Sequence, residues 1–193
     1  MKLKVIGTMA LSGLLLASCG NDSSNSEDNG SKSETSNDKQ SKESTEQVIA
    51  LDKIKTSPED AVKKAQEVYD GQDLKGISYE KSNGDWSYKI EQQTEGKESE
   101  VIIADQDKKV INKETENEDS IDQNESFKYD DAIDYKKAIK NGQKEFDGDI
   151  KEWSLAKDEG KLVYDMDLQK DNTKHEITVD AKNGKVLNNE QDD

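Results

Sequence analysis

The chain has 193 residues, a formal net charge of −16, and 37% charged against only 30% hydrophobic residues. All 28 of its basic residues are lysine, so the planar fork that grips phosphate or carboxylate through two parallel bonds is missing. That charge argues against a nucleic-acid partner on counter-ion grounds, and a single cysteine leaves no internal disulfide.

At the N-terminus, Lys2 and Lys4 precede an apolar run from Val5 to Ala17, which closes on Leu16-Ala17-Ser18-Cys19. Composition and length are those of a secretory signal, residues 1–18, too short to span a bilayer as a mature helix. With the cysteine at the expected cleavage point, the segment resembles the lipobox of bacterial lipoproteins. The resemblance implies that the Cys19 thiol receives a diacylglyceryl group and becomes the first residue of the mature chain. Each buried CH₂ contributes ~0.8 kcal/mol, so two acyl chains hold firmly where one holds marginally. Residues 1–18 carry two lysines and no acid, so the mature charge is near −18. An anionic leaflet repels such a body. Lipid, not charge, is therefore expected to hold it at the outer face of the cytoplasmic membrane.

From Gly20 to Gln47 there is no aliphatic, aromatic, methionine or cysteine residue. Such a stretch cannot bury enough apolar area to offset chain entropy. Residues 19–50 are expected to be a disordered polar tether, with a reach of roughly 30 Å over those 28 residues as a flexible coil.

Beyond the tether the chain repeats itself. Leu74–Ile111 lies on Ile150–Leu187 without a gap, at an offset of 76. Leu74 meets Ile150, Tyr88 meets Tyr164, and Val101 and Ile103 meet Ile177 and Val179. With one residue of slip, Ala61-Val62-Lys63 meets Ala138-Ile139-Lys140. Two copies at this period predict two small units rather than a solenoid, which needs three or more.

Each copy opens with a helix. Ser57-Pro58-Glu59-Asp60 reads as an N-cap, a proline at the first helical position and two acids facing the positive end of the helix dipole. Ala61, Val62, Ala65, Val68 and Tyr69 form one apolar stripe, and Gly71 suits the residue past the end. For the second helix Asp130 or Asp131 is the expected cap. Gly142 interrupts its stripe at a cost of ~1 kcal/mol, which a close approach to the sheet would offset. Strands follow, with period-two alternation at Ile77/Tyr79, Trp86/Tyr88/Ile90 and Val101/Ile103. Ser82-Asn83-Gly84-Asp85, Asp158-Glu159-Gly160-Lys161 and Asn183-Gly184 are turn signals. A short strand at Val110 or Val186 ends each copy. The expected fold class is α+β: two tandem units, each one helix on a small antiparallel sheet (α-β-β-β plus a short strand). The boundaries read 51–113 for the first unit, 114–128 for an acidic linker, 129–189 for the second unit and 190–193 for a tail. A unit of ~60 residues is near the lower size limit. Joining sheets or covering each other's open faces would help both copies.

This pattern resembles a tandem PepSY-domain lipoprotein of a Gram-positive, Staphylococcus-like bacterium. The likeness rests on Ala61–Ala65, Leu74–Tyr79, Tyr88–Ile90 and Val101–Ile111, and on Ala138–Gly142, Ile150–Leu155, Tyr164–Leu168 and Glu176–Leu187. The run Asp180-Ala181-Lys182-Asn183-Gly184-Lys185-Val186 is the most family-like piece. The first copy departs there, since Asp105-Gln106-Asp107-Lys108-Lys109-Val110 has no glycine. The resemblance implies a non-enzymatic binding module that inhibits or modulates a secreted or envelope peptidase. The alternative is a structural or scaffold lipoprotein of the envelope with no peptidase partner.

The residues carry no competing chemistry. His175 is the only histidine and has no second to share a zinc site. It reads as an exposed polar position. No G-x-S-x-G elbow or phosphate loop occurs. Pairs such as Asp105/Asp107, Asp147/Asp149 and Asp165/Asp167 are expected by chance among 44 acids, and Asp147-Gly148-Asp149 is at most a weak calcium turn. Trp86 and Trp153 align with aliphatic residues and read as core. No catalytic residue, cofactor or metal ligand is expected, and Cys19 is the one modified residue.

Overall fold

A computed structural model describes residues 47–118 and 123–192. The signal segment, Cys19 and the tether up to residue 46 lie outside the described residues. Helix α1 spans Pro58–Val68, with Ser57 as N-cap accepting from the Asp60 N–H (3.1 Å). Strands β1 (Asp73–Ser82), β2 (Asp85–Thr94), β3 (Lys97–Ala104) and β4 (Val110–Asn117) complete the first copy. The second repeats it as α2 (Tyr135–Glu145), β5 (Asp149–Asp158), β6 (Lys161–Lys170), β7 (Thr173–Asp180) and β8 (Val186–Asp192).

The tight turns behave as the sequence predicts. Asn83-Gly84 and Glu159-Gly160 both take positive φ at both positions, the twist that suits a two-residue hairpin. At the β3–β4 turn the copies differ. Gly184 (φ +79) closes the second, whereas Lys108 (φ +60) holds the same backbone position in the first. The turn hydrogen bonds match: Lys108 N–H donates to the Ala104 carbonyl at 3.0 Å and Gly184 N–H to the Asp180 carbonyl at 2.8 Å. The missing glycine therefore does not change the turn; a left-handed lysine replaces it.

Three expected boundaries shift. The cap of α2 is Asp134, which accepts from the Lys137 N–H at 3.2 Å; Asp130 and Asp131 instead lie in a 3₁₀ turn, Tyr129–Asp131. The last strands are longer than a few residues. β4 runs to Asn117 along β3, and β8 to Asp192 along β7, so backbone pairing extends into the stretches expected as acidic linker and tail. Finally, Ile49, placed in the tether, exchanges two backbone hydrogen bonds with Ile150 (2.8 and 2.9 Å). Val48, Ile49 and Ala50 are half-buried and belong to the folded body.

The copies join sheets. Among the described residues there is one eight-stranded antiparallel sheet, ordered β4-β3-β2-β1-β5-β6-β7-β8. The seam between β1 and β5 pairs Gly76 with Ala156, Ile77 with Leu155, Ser78 with Ser154 and Tyr79 with Trp153. Both helices lie on the same face. Tyr135, the first residue of α2, stacks on Trp153 (5.8 Å), and Trp153 in turn contacts Tyr79, Tyr88 and Tyr164. One apolar core therefore runs through both copies. Each copy also ties its pre-helix segment to its second strand: Tyr88 donates to the Thr56 carbonyl and Tyr164 to the Ile133 carbonyl, both at 2.7 Å.

Gly142 explains itself in this packing. A Cβ there would sit 2.5 Å from Met166 Sδ and 3.5 Å from Ile177 Cγ2, and Met166 is fully enclosed. A side chain at this position would force Met166 to move within the core. Gly142→Ala should therefore lower stability by about 1–3 kcal/mol through overpacking, although alanine is ~1 kcal/mol the better helix former. Urea unfolding reads the sign directly; a gain in midpoint would mean that the helix-to-sheet spacing has slack.

Candidate interaction face

The face of the sheet opposite the helices has no covering layer among the described residues. Strand alternation places on it the residues between the core positions. Register then lines up carboxylates across neighbouring strands. In the first copy Glu91 on β2 faces Glu100 on β3, which faces Glu114 on β4. In the second copy Glu152 on β5, Asp167 on β6, Glu176 on β7 and Glu190 on β8 form the corresponding row. Like charges directly opposite one another destabilise a sheet, so both rows oppose folding.

Lysines of the chain itself relieve part of this. Lys89 Nζ lies 2.9 Å from Glu91 and 3.8 Å from Glu100. Lys174 Nζ lies 2.6 Å from Asp167, 2.9 Å from Asp192 and 3.9 Å from Glu176. Relief is incomplete at two positions. Burial, then the charges of Glu114 and Glu91, hold Glu100 above the ordinary carboxylate range despite Lys89. Glu152 is pushed up by burial, by Asp167 and by Glu80.

Sequence reasoning missed these rows, because each acid alone is an ordinary polar position of a half-buried strand. The available signal was the turn: once Glu95-Gly96 is placed between β2 and β3, residue 91 must face residue 100.

The residues singled out from sequence are not brought together. Asp105 is buried, and its carboxylate accepts from the Lys55 and Thr56 N–H groups (3.1 and 2.9 Å), tying the segment before α1 to the end of β3. Asp107 pairs with Lys109 at 2.6 Å, and Asp147 with Lys170 at 3.0 Å. Asp165 accepts from the Thr178 hydroxyl at 2.6 Å. His175 is not the exposed position expected: it is half-buried, stacked on Phe146 at 4.0 Å, with Nδ1 2.7 Å from Asn189 Oδ1. Trp153 is buried in the core, and Trp86 stacks on Tyr79 at 5.3 Å. Among the described residues no three His, Cys, Asp or Glu side chains converge on a metal-sized space. No described helix is long and apolar enough to cross a membrane.

Two outcomes follow from this electrostatics. Asp105→Ala strands the buried Thr56 N–H and frees the part-buried Lys55 N–H, and should cost about 1–3 kcal/mol, read as a lower urea midpoint. Glu152 has its folded-state pKa above its unfolded value, so its ionisation opposes folding. That penalty is fully present above the folded pKa and disappears as pH falls below the unfolded one. Glu152→Gln should therefore raise stability at pH 7, with the advantage over the parent shrinking toward pH 4. Equal midpoints for the two proteins at pH 7 would contradict this.

A family model described as "Peptidase propeptide and YPEB domain" (PepSY) matches residues 55–114 and again 132–190. The crystal structure of a "putative lipoprotein" from Clostridium difficile 630 is similar at TM-score 0.69 and 27% identity, over 76% of this chain and 99% of that one. No curated protein matches the chain.

Proposed function

Since the chain belongs to the PepSY family, which both matched units establish, we propose that it is a non-catalytic binding module that restrains a secreted or envelope peptidase. The observation that carries this reading is the family match itself, made twice in one chain and described by a propeptide rather than by a catalytic domain. The arrangement of side chains agrees with it. Asp107 and Asp147 pair with lysines, Asp165 with a threonine hydroxyl and Asp105 with backbone N–H groups, and the one histidine is packed on Phe146. General acid–base or nucleophilic work needs a base within hydrogen-bond reach of an activated group, and His175 faces an amide oxygen instead.

The proposal places the body outside the cell, held to the outer face of the cytoplasmic membrane by acyl chains on Cys19. Support comes from the lipobox-like Leu16-Ala17-Ser18-Cys19 and from the likeness to the Clostridium difficile protein. A chain anchored in this way acts on partners diffusing past the membrane, and occlusion by a protein surface needs no chemistry of its own.

The test has two arms. The soluble body beginning at residue 47 should slow one or more of the organism's own secreted peptidases in a stoichiometric, saturable manner. In cells, Cys19→Ser should abolish incorporation of labelled palmitate. A body that leaves every secreted peptidase unaffected, while capturing a wall or secretion component, would favour the scaffold reading instead. Undiminished palmitate labelling of the serine variant would refute the lipid anchor at Cys19.

A further inference from the structure

The seam has a symmetry that neither copy shows alone. The repeat offset is 76, and Ser78 faces Ser154, so two equivalent residues sit opposite each other. The pairs on either side, Ile77 with Leu155 and Tyr79 with Trp153, exchange places under the same operation. The approach segments follow it in kind, with 78 residues between their pairing positions against 76 between the strand residues that they meet. Ile49, ahead of α1, pairs with Ile150 of the second copy; Phe127, ahead of α2, pairs with Leu74 of the first. Leu74 and Ile150 are themselves equivalent. Each copy thus offers the other the same strand edge and the same arm, the arrangement of an isologous dimer interface.

From this geometry we infer that the edge of β1 or β5, with its arm, is a self-recognising surface whose partner is any unit of this chain, including a second copy of the same unit. The side chains fit homotypic pairing. With Ser154 opposite the partner's Ser154, Trp153 meets Leu155 and Leu155 meets Trp153, large against smaller on both sides of the axis. Glu152 then meets Ala156. The observed pairing is poorer at that point, because Glu80 and Glu152 repel each other across the seam. Homotypic pairing removes that like-charge contact. Neither edge is stable open: Tyr79, Trp153, Ile77 and Leu155 are essentially buried, and parting the copies would expose them together with a row of unpaired backbone groups.

The experiment uses the full body with a specific protease site placed within residues 119–122, between the two copies. The folded protein is cut, and the cut protein should elute at the size of the intact one. Two cut preparations, one with an affinity tag after residue 192, are then mixed, unfolded in urea and refolded together. Capture through the tag should recover the untagged first unit and also the untagged second unit, the latter as a homotypic pair. A Ser154→Cys substitution in both preparations should crosslink that pair through the axis. Recovery of the first unit alone, or of neither, overturns the inference, as does separation of the freshly cut halves into two folded monomers.

Discussion

Four backbone pairs along the β1–β5 seam make two small repeats into one body. A unit of this size buries too little surface to be comfortable on its own. The seam solves this without a staple. It continues the sheet across both copies and stacks the Tyr79 and Trp153 rings against each other over the junction. The aromatic cluster then belongs to both copies, and its members gain burial only while the edges stay paired. The other structural features, namely the single helix layer, the reciprocal arms and the two distant free edges, follow from that junction.

The open face and the helix face answer to different constraints. On the helix side, contact is close enough that a methyl group on Gly142 would displace Met166. On the other side, the sheet tolerates carboxylates placed directly opposite one another in both copies. A fold that keeps such rows is less stable than it could be. Its surface carries acidic rows that no layer of the described chain covers, which suits solubility better than it suits packing.

Local physics was legible in the sequence and long-range choice was not. The Ser57-Pro58 start of α1 and the Asn83-Gly84 and Glu159-Gly160 turns depend on a few neighbouring residues, and each appears where its chemistry requires. The start of α2 was ambiguous because Asp130, Asp131 and Asp134 are all competent caps; the first two are used by the preceding 3₁₀ turn. The polar ends of β4 and β8 carry no apolar alternation, so only their partners reveal them as strands. The acidic rows needed register, which is set by turn length. The seam needed the knowledge of which edge meets which, and a repeat alone leaves joining or stacking equally open.

The position of Ile49 has a mechanical consequence. The polypeptide arriving from its N-terminal side docks first on β5, a strand of the opposite repeat, through two backbone hydrogen bonds. Tension applied upstream of residue 47 is thus delivered across the junction before it reaches the interior of the repeat that follows in the chain. Both modules would share a load entering from that end, and the first element to yield would be a short clasp that can re-form when the pull relaxes.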